Sequence, residues 1–509
     1  MAIYQLPWTT ILASLNMNSI KPKKNTPSDI KNQAIKAVKW TALNEIVSRA
    51  IQPIITLILA RILTPEDFGV VGVAMIAIGL AQIFQDFGLG KALIQSETEI
   101  EKTANIVFWT NLFLSIVIYF IIFLTAPLIS QFFHEPIVAD VLRILGLQII
   151  LFSLVLAHQA LFQRNFQFKQ LFFIRTFSSL VLGFVSILLA LLGYGVWSLV
   201  FGTLAGTILQ VILLWKLSSW RPNRSYDFQL ARQMFAFSAW VFIEAFLGWL
   251  ILWGDSIVLG HFLGVKELGV YRVGVTFLML VFGIFFNPIL PVAYSAFSRL
   301  QNNREELIKS FLKMTKLISL VSLPLGVGFA ILAPNISTII FGQKWQGIEI
   351  VIALIGIMYS IAWLVGLNPE VYRAIGRPDI NSKLLFVAVI YYLPVYIYVA
   401  PYGLFVFSLA RLVVAIIGMG LHIFVVNRIL GLKITYLWSL TKEPLLSSLV
   451  MVIALYLAEN FIGDVSGIGG WFKLFGIISI GIITYMVSLW LLNKDLVLQG
   501  LRLVKEGIK

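Results

Sequence analysis

The chain has 509 residues, 59% of them hydrophobic and only 12% charged, with a net charge of +14 and no cysteine. This composition excludes an ordinary soluble domain, and the missing thiols exclude disulfides, thiolate metal sites and cysteine nucleophiles. The positive charge needs no nucleic-acid partner, because basic loops between apolar segments encode membrane topology and attract an anionic leaflet.

In chain order, a basic tail (1–39) comes first. Its first twenty residues, up to Ile20, lack the basic n-region and clean apolar core of a signal peptide, and Met17 is an alternative start to Met1. About fourteen apolar segments follow, each long enough to cross a bilayer: Trp40–Leu63, Phe68–Gly88, Ala104–Ile129, Val138–Phe162, Leu171–Leu192, Val196–Leu217, Met234–Trp253, Leu268–Ala293, Phe311–Ala333, Gly347–Leu367, Leu384–Ala400, Leu404–Val426, Leu445–Phe461 and Trp471–Leu492. Lipid offers no hydrogen-bond partners, and the runs are continuously apolar rather than alternating. The predicted fold is therefore all-α. Gly193-Tyr194-Gly195 and Ala400-Pro401-Tyr402-Gly403 split two stretches too long for single helices.

Basic residues fall in alternate connections. Lys91 and Lys102, Arg164 and Lys169, Lys216 to Arg232, Arg299 to Lys316, Arg373 to Lys383, Arg428 to Lys442 and both tails share one side, which holds about 29 of the 38 Lys and Arg. The other side has Arg61, Lys266, Lys344 and Lys473. Both termini are expected in the cytoplasm.

The sequence also repeats itself. "RILTPEDFGVVGVA" from Arg61 aligns without gaps on "HFLGVKELGVYRVG" from His261, matching Gly69 with Gly269 and Val70 with Val270. The segment Leu145–Asn165 resembles Ile355–Ile375, and "YGVW" at Tyr194 echoes "YGLF" at Tyr402. Each copy holds an even number of spans, so the two enter the membrane from the same side, as a parallel repeat. The predicted organisation is an N-lobe of six helices (40–217), a cytoplasmic linker (218–233), a C-lobe of six helices (234–426), and two further helices with a cytoplasmic tail (427–509).

Along this order, "LARILTPEDFGVVGVAMIAIGLAQIFQDFGLGKALIQ" (Leu59–Gln95), "LSSWRP" (Leu217–Pro222), "LGVYRVG" (Leu268–Gly274), "FSRLQNNREEL" (Phe297–Leu307) and "EVYRAIGRPD" (Glu370–Asp379) resemble the polysaccharide transporter, or Wzx-type, family of the multidrug/oligosaccharidyl-lipid/polysaccharide superfamily, in its colanic and teichuronic acid exporter branch. The resemblance runs from about Lys36 to the end; it departs only in the long N-terminal extension. It implies a flippase that carries undecaprenyl-pyrophosphate-linked oligosaccharide across the bacterial inner membrane, for surface polysaccharide biosynthesis, through a cleft between two lobes. A polysaccharide polymerase and chain-length machinery are the expected protein partners.

Ionisable residues at bilayer depth are costly and mark candidate sites. Arg49 and Arg411 lie deep in the first and twelfth spans, and Arg272 and Arg143 about one turn from the ends of theirs. No acid shares the twelfth span with Arg411. Guanidinium groups match phosphate oxygens and stay charged, so these four make a candidate cationic cleft for the lipid diphosphate. Trp40, Trp249 and Trp363 are weaker candidates for stacking on sugar rings. Glu244, near mid-span, and Glu45, one turn from Arg49, are candidate coupling carboxylates for H+ or Na+. Asp255 and Glu370 are expected near span ends, and Pro53 and Pro324 kink their helices.

No phosphate-binding loop, metal-binding helix or serine nucleophile elbow occurs, and the four His show no ligand spacing. The chain is read as a transporter with no cofactor and no enzymatic activity. A drug or small-cation antiporter of the same superfamily is the alternative, and a membrane polymerase, which needs a larger outer loop than these, comes after it.

Overall fold

A computed structural model describes residues 51–86, 89–96, 99–433, 435–462 and 468–494, with backbone alone at some helical positions, 232–244 among them. The tail 1–39, Trp40, Glu45 and Arg49 lie outside the described residues, as does the side chain of Glu244.

Every long element among the described residues is a helix, and twelve of them are long and apolar enough to cross a membrane. The first span is described as Ile51–Ile62, followed by Pro65–Asp86 as the second. After the short helix Leu89–Gln95 come Ile100–Phe132, the pair Ile137–Leu145 and Leu147–Arg164, Phe168–Leu191 and Val196–Leu217 as the third to sixth. The seventh and eighth form one rod, Phe228–Phe286, broken at Gly264, whose φ of 85° and ψ of 177° interrupt the helix. The short helix Ile289–Leu300 leads to the ninth span, Arg304–Ile336. Ile348–Trp363 with Asn368–Ala374, Asp379–Val399, Leu404–Leu430, Tyr436–Ile462 and Ile468–Leu492 complete the set. Splitting the broken rod and adding the first span accounts for the fourteen segments expected.

Several helices run past the expected apolar bounds, the ninth beginning at Arg304 rather than Phe311 and the thirteenth at Tyr436 rather than Leu445, and two of the differences bear on the site. The seventh helix runs past Trp253 as far as Gly264, so Asp255 is inside a helix rather than at its end. Apolar flanks hid this, since Gly254 to Gly260 carries no strong breaker. The eighth stops at Phe286 instead of Ala293, because Pro288 has no N–H to continue the ladder and starts a separate helix. The two predicted turns do separate helices: Gly193, Gly195 and Gly403 have φ of 84°, 52° and 96°, a region open to glycine at little cost. Arg61, expected in a loop, occupies the last turn of the first helix.

Polar side chains fasten the apolar helices where packing alone is unspecific. In the N-lobe the Nε2 amide of the buried Gln85 lies within hydrogen-bond distance of Asn111 Oδ1 (2.8 Å), Ser115 Oγ (2.8 Å) and the Ile149 carbonyl (2.9 Å), tying the second, third and fourth spans together. The thirteenth and fourteenth spans lie on the ninth: Tyr485 donates to the Leu320 carbonyl at 2.8 Å, and Asn335 bonds Glu459.

Candidate functional site

The second and eighth spans cross where their backbones touch. A Cβ on Gly69 would lie 1.7 Å from the Val265 carbonyl oxygen, and one on Gly269 would lie 1.8 Å from that of Pro65. Each member of this pair matches the other at the offset that aligns Arg61 with His261. Glu66 and Lys266, matched in the same way, face each other at 3.9 Å. The internal repeat is thus a physical two-fold relation, and its axis passes through the contact between the lobes.

Around this crossing the charge-poor end is sealed. Trp345, fully buried, donates through Nε1 to the Ala60 carbonyl (2.7 Å) and meets Phe68 edge-on at 5.4 Å. Lys344 donates to the Ile62 carbonyl (3.3 Å), and His261 Nδ1 is 2.7 Å from the Phe132 carbonyl oxygen. The deepest such link is Trp249, which donates to the Ile76 carbonyl at 3.3 Å.

Arg272 stands on this interlobe face. The position matched to it by the repeat is Gly72, and a Cβ there would meet the Arg272 Cγ at 3.9 Å. The Arg272 guanidinium lies over the Trp253 ring at 4.0 Å from its centroid. Trp249 and Trp253 both approach Gly79 of the second span, where the missing side chain leaves them room. Among the described residues, Arg272 has no carboxylate within ion-pair distance and donates no hydrogen bond, although Asp255 and Tyr359 lie within electrostatic reach. Its planar cation is held flat by the indole while its N–H edge stays uncommitted.

Arg411 is different. Its Nη1 lies 2.7 Å from Asp255 Oδ2, the same oxygen that accepts from the Tyr271 hydroxyl at 2.6 Å, and its guanidinium lies 5.5 Å from the Tyr271 ring centroid. Both charged side chains are almost fully buried, at 14% and 4% exposure. The twelfth span supplies no acid, as the sequence indicated; the acid arrives from the seventh. Arg411 is consequently no unpaired cation. Arg143 pairs with Asp140 at 3.4 Å and lies 5.0 Å from the Phe123 ring, and no interaction among the described residues joins it to Arg272 or Arg411. Trp249 reaches the lobe interface, whereas Trp363 packs on Phe286 at 4.7 Å. Glu370, nearly buried, pairs with Arg373 at 3.0 Å.

Sequence reasoning missed Trp253 and Tyr271 and misplaced Asp255. One signal was available: an arginine with no acid in its own span must find one in another helix, and Asp255 is among the few acids the apolar segments offer. Among the described residues, no group of three His, Asp or Glu side chains is placed to hold a metal ion.

Comparison with known proteins bears on this geometry. The polysaccharide biosynthesis protein family matches residues 58–350, more than half of the chain. The chain belongs to that family. Among its relatives, the teichuronic acid biosynthesis protein TuaB of Bacillus subtilis (strain 168) is 25% identical over 359 residues, covering 69% of this chain and 73% of TuaB. The lipopolysaccharide biosynthesis protein WzxC of Escherichia coli (strain K12) is 26% identical over 372 residues, covering 70% and 72%. The lipid II flippase MurJ, in an inward closed conformation, superposes with a TM-score of 0.70 at 18% identity over 91% of this chain and all of MurJ. This member of the polysaccharide biosynthesis family is therefore a multi-pass membrane protein with the fold seen in MurJ.

Proposed function

We propose that the protein is a flippase that carries lipid-linked oligosaccharide, on undecaprenyl pyrophosphate, from the cytoplasmic to the outer leaflet of a bacterial inner membrane, with the basic end cytoplasmic. The observation that carries this is Arg272, a guanidinium on the interlobe face stacked on Trp253, with no carboxylate within ion-pair distance among the described residues. A cation in an apolar setting with free N–H donors is stabilised by an anionic ligand, and a lipid diphosphate supplies one. The relatives' names, in teichuronic acid and lipopolysaccharide biosynthesis, agree in substrate class. They do not favour the antiporter or polymerase alternatives.

In this reading the outer end is sealed by the Gly69–Gly269 crossing and Trp345. Rocking of the two lobes about an axis in the membrane plane breaks those contacts and re-forms others at the opposite end. Arg411 joins the substrate only if a phosphate displaces Asp255, so it is the weaker ligand. Arg49 and Arg143 remain proposed accessory cations, and Glu244 and Glu45 proposed H+ or Na+ coupling groups. The polymerase and chain-length machinery remain proposed downstream partners.

The test is transfer of a fluorescent undecaprenyl-pyrophosphate oligosaccharide in proteoliposomes. Charge-assisted hydrogen bonds contribute about 1.5–3 kcal/mol, so Arg272→Ala should slow transfer by roughly 10- to 150-fold at subsaturating substrate. Arg272→Lys should restore part of it, because an ammonium lacks the planar fork. Wild-type transfer by Arg272→Ala would remove the reading.

A further inference from the structure

A cavity of about 400 Å³ opens at the basic end of the N-lobe, away from the interlobe face. Its walls come from three places: the start of the third span, the turn after the fourth, and the strand of chain after the sixth. Glu101, Asn165, Gln167, Ser218, Ser219 and Trp220 supply the polar and aromatic lining, over a floor of Leu161, Phe162 and Leu217.

These walls are rigid by construction. The Arg221 guanidinium donates to the carbonyls of Ser218 (2.6 Å), Trp220 (2.7 Å) and Trp215 (2.7 Å), which freezes the strand's exit from the sixth span. Asn105, fully buried, clasps Asn223 with two hydrogen bonds of 2.7 and 2.9 Å, while Trp109 donates to the Asn223 carbonyl at 2.6 Å. On the opposite wall Phe166 has a φ of 55°, in the left-handed region that disfavours a bulky side chain. The matching turn in the C-lobe has Gly376, with φ of 75°. The strained residue lies between Asn165 and Gln167, the two amides of the lining. Its backbone is the left-handed stop of the fourth span, closed by the Gln167 N–H donating to the Phe162 carbonyl at 2.9 Å, and this sets the two amides beside the cavity.

The lining also defines the ligand. Two charged side chains are part of it: Arg221 has turned three of its N–H donors to backbone carbonyls, and Glu101 accepts from Asn223 Nδ2 at 3.4 Å. The rest of the lining is a mixture of uncharged donors and acceptors beside an indole over an apolar floor. That chemistry matches a neutral sugar, whose hydroxyls take both roles and whose C–H faces lie against aromatic rings.

We infer that this cavity binds a neutral sugar residue of the substrate glycan on the cytoplasmic side, separately from the diphosphate; the inference rests on the flippase reading for the identity of the glycan. A long headgroup held at two points is oriented before the lobes move, and the second contact raises its effective concentration at the first.

The test uses full-length purified protein and, as probe, the free repeat-unit oligosaccharide released from the host's lipid-linked intermediate, without lipid or phosphate, titrated by saturation-transfer NMR. The wild type should bind it saturably. Ser219→Trp, which fills the cavity, and Asn165→Ala, which removes one exposed amide and leaves the packing intact, should each weaken binding, the former by at least about tenfold. Equal binding by both variants, or no saturable binding by the wild type, would overturn the inference. Transfer of the lipid-linked substrate in proteoliposomes separates the two readings: transfer without oligosaccharide binding sinks the cavity alone, and binding without transfer sinks the flippase alone.

Discussion

The Gly69–Gly269 crossing offers a sharp test of how the outer end closes. Gly69→Ala puts a methyl group 1.7 Å from the Val265 carbonyl oxygen, and that atom is backbone, so it cannot swing aside. To reach ordinary contact the second and eighth spans must separate by about 1.5 Å or more, which also loosens the packing of Trp345 and Phe68 beside them. Overpacking of this kind costs about 1–3 kcal/mol. The cost falls on the sealed state alone, so the balance between sealed and open forms should move by roughly 5- to 150-fold. The chain has no cysteine, so a single reporter, Ala60→Cys, can be added to the fully buried position whose carbonyl accepts from Trp345. Labelling by a membrane-impermeant maleimide from the outside should be slow in the parent and faster by that factor in Gly69→Ala. Gly72→Ala is the control on the same helix, because its Cβ would meet Leu268 at an ordinary 3.8 Å. Equal labelling rates in the parent and Gly69→Ala would refute the crossing as the closing contact.

Three further outcomes are expected. Removing either partner of the buried pair, by Asp255→Leu or Arg411→Met, should cost about 3–5 kcal/mol and lower the melting temperature in detergent, while the double variant recovers most of the loss; a double variant no more stable than the singles would contradict the pairing. Lys266→Ala should change outside labelling by less than about twofold, because its pair with Glu66 is half exposed and such pairs contribute under about 1 kcal/mol; a large change would assign that pair to the gate. If Glu244 couples transport to an ion, Glu244→Gln should abolish the dependence of transfer on an imposed pH or Na+ gradient in proteoliposomes, and unchanged dependence would return that role to Glu45.

The sequence by itself determined the all-α membrane fold, the fourteen segments and the two-fold repeat. Each of these is a one-dimensional signal: the length of an apolar run, the side on which Lys and Arg fall, and the match of Gly69 to Gly269. It also singled out Arg411 deep in its span and Arg272 about one turn from the end of its own, because a charge is conspicuous in apolar sequence wherever its side chain ends up. Only the tertiary structure decided that they differ, with Arg411 neutralised by Asp255 from a helix far away in sequence and Arg272 left stacked on Trp253. Which helices become neighbours depends on packing among faces that are uniformly apolar, and such faces carry almost no register information. The break at Gly264 and the stop before Pro288 were hidden for a related reason, since a hydropathy pattern records where lipid is tolerated and not where the backbone turns. The same holds for the cavity beside Trp220, whose walls come from three separate stretches of chain that meet only once the N-lobe has folded.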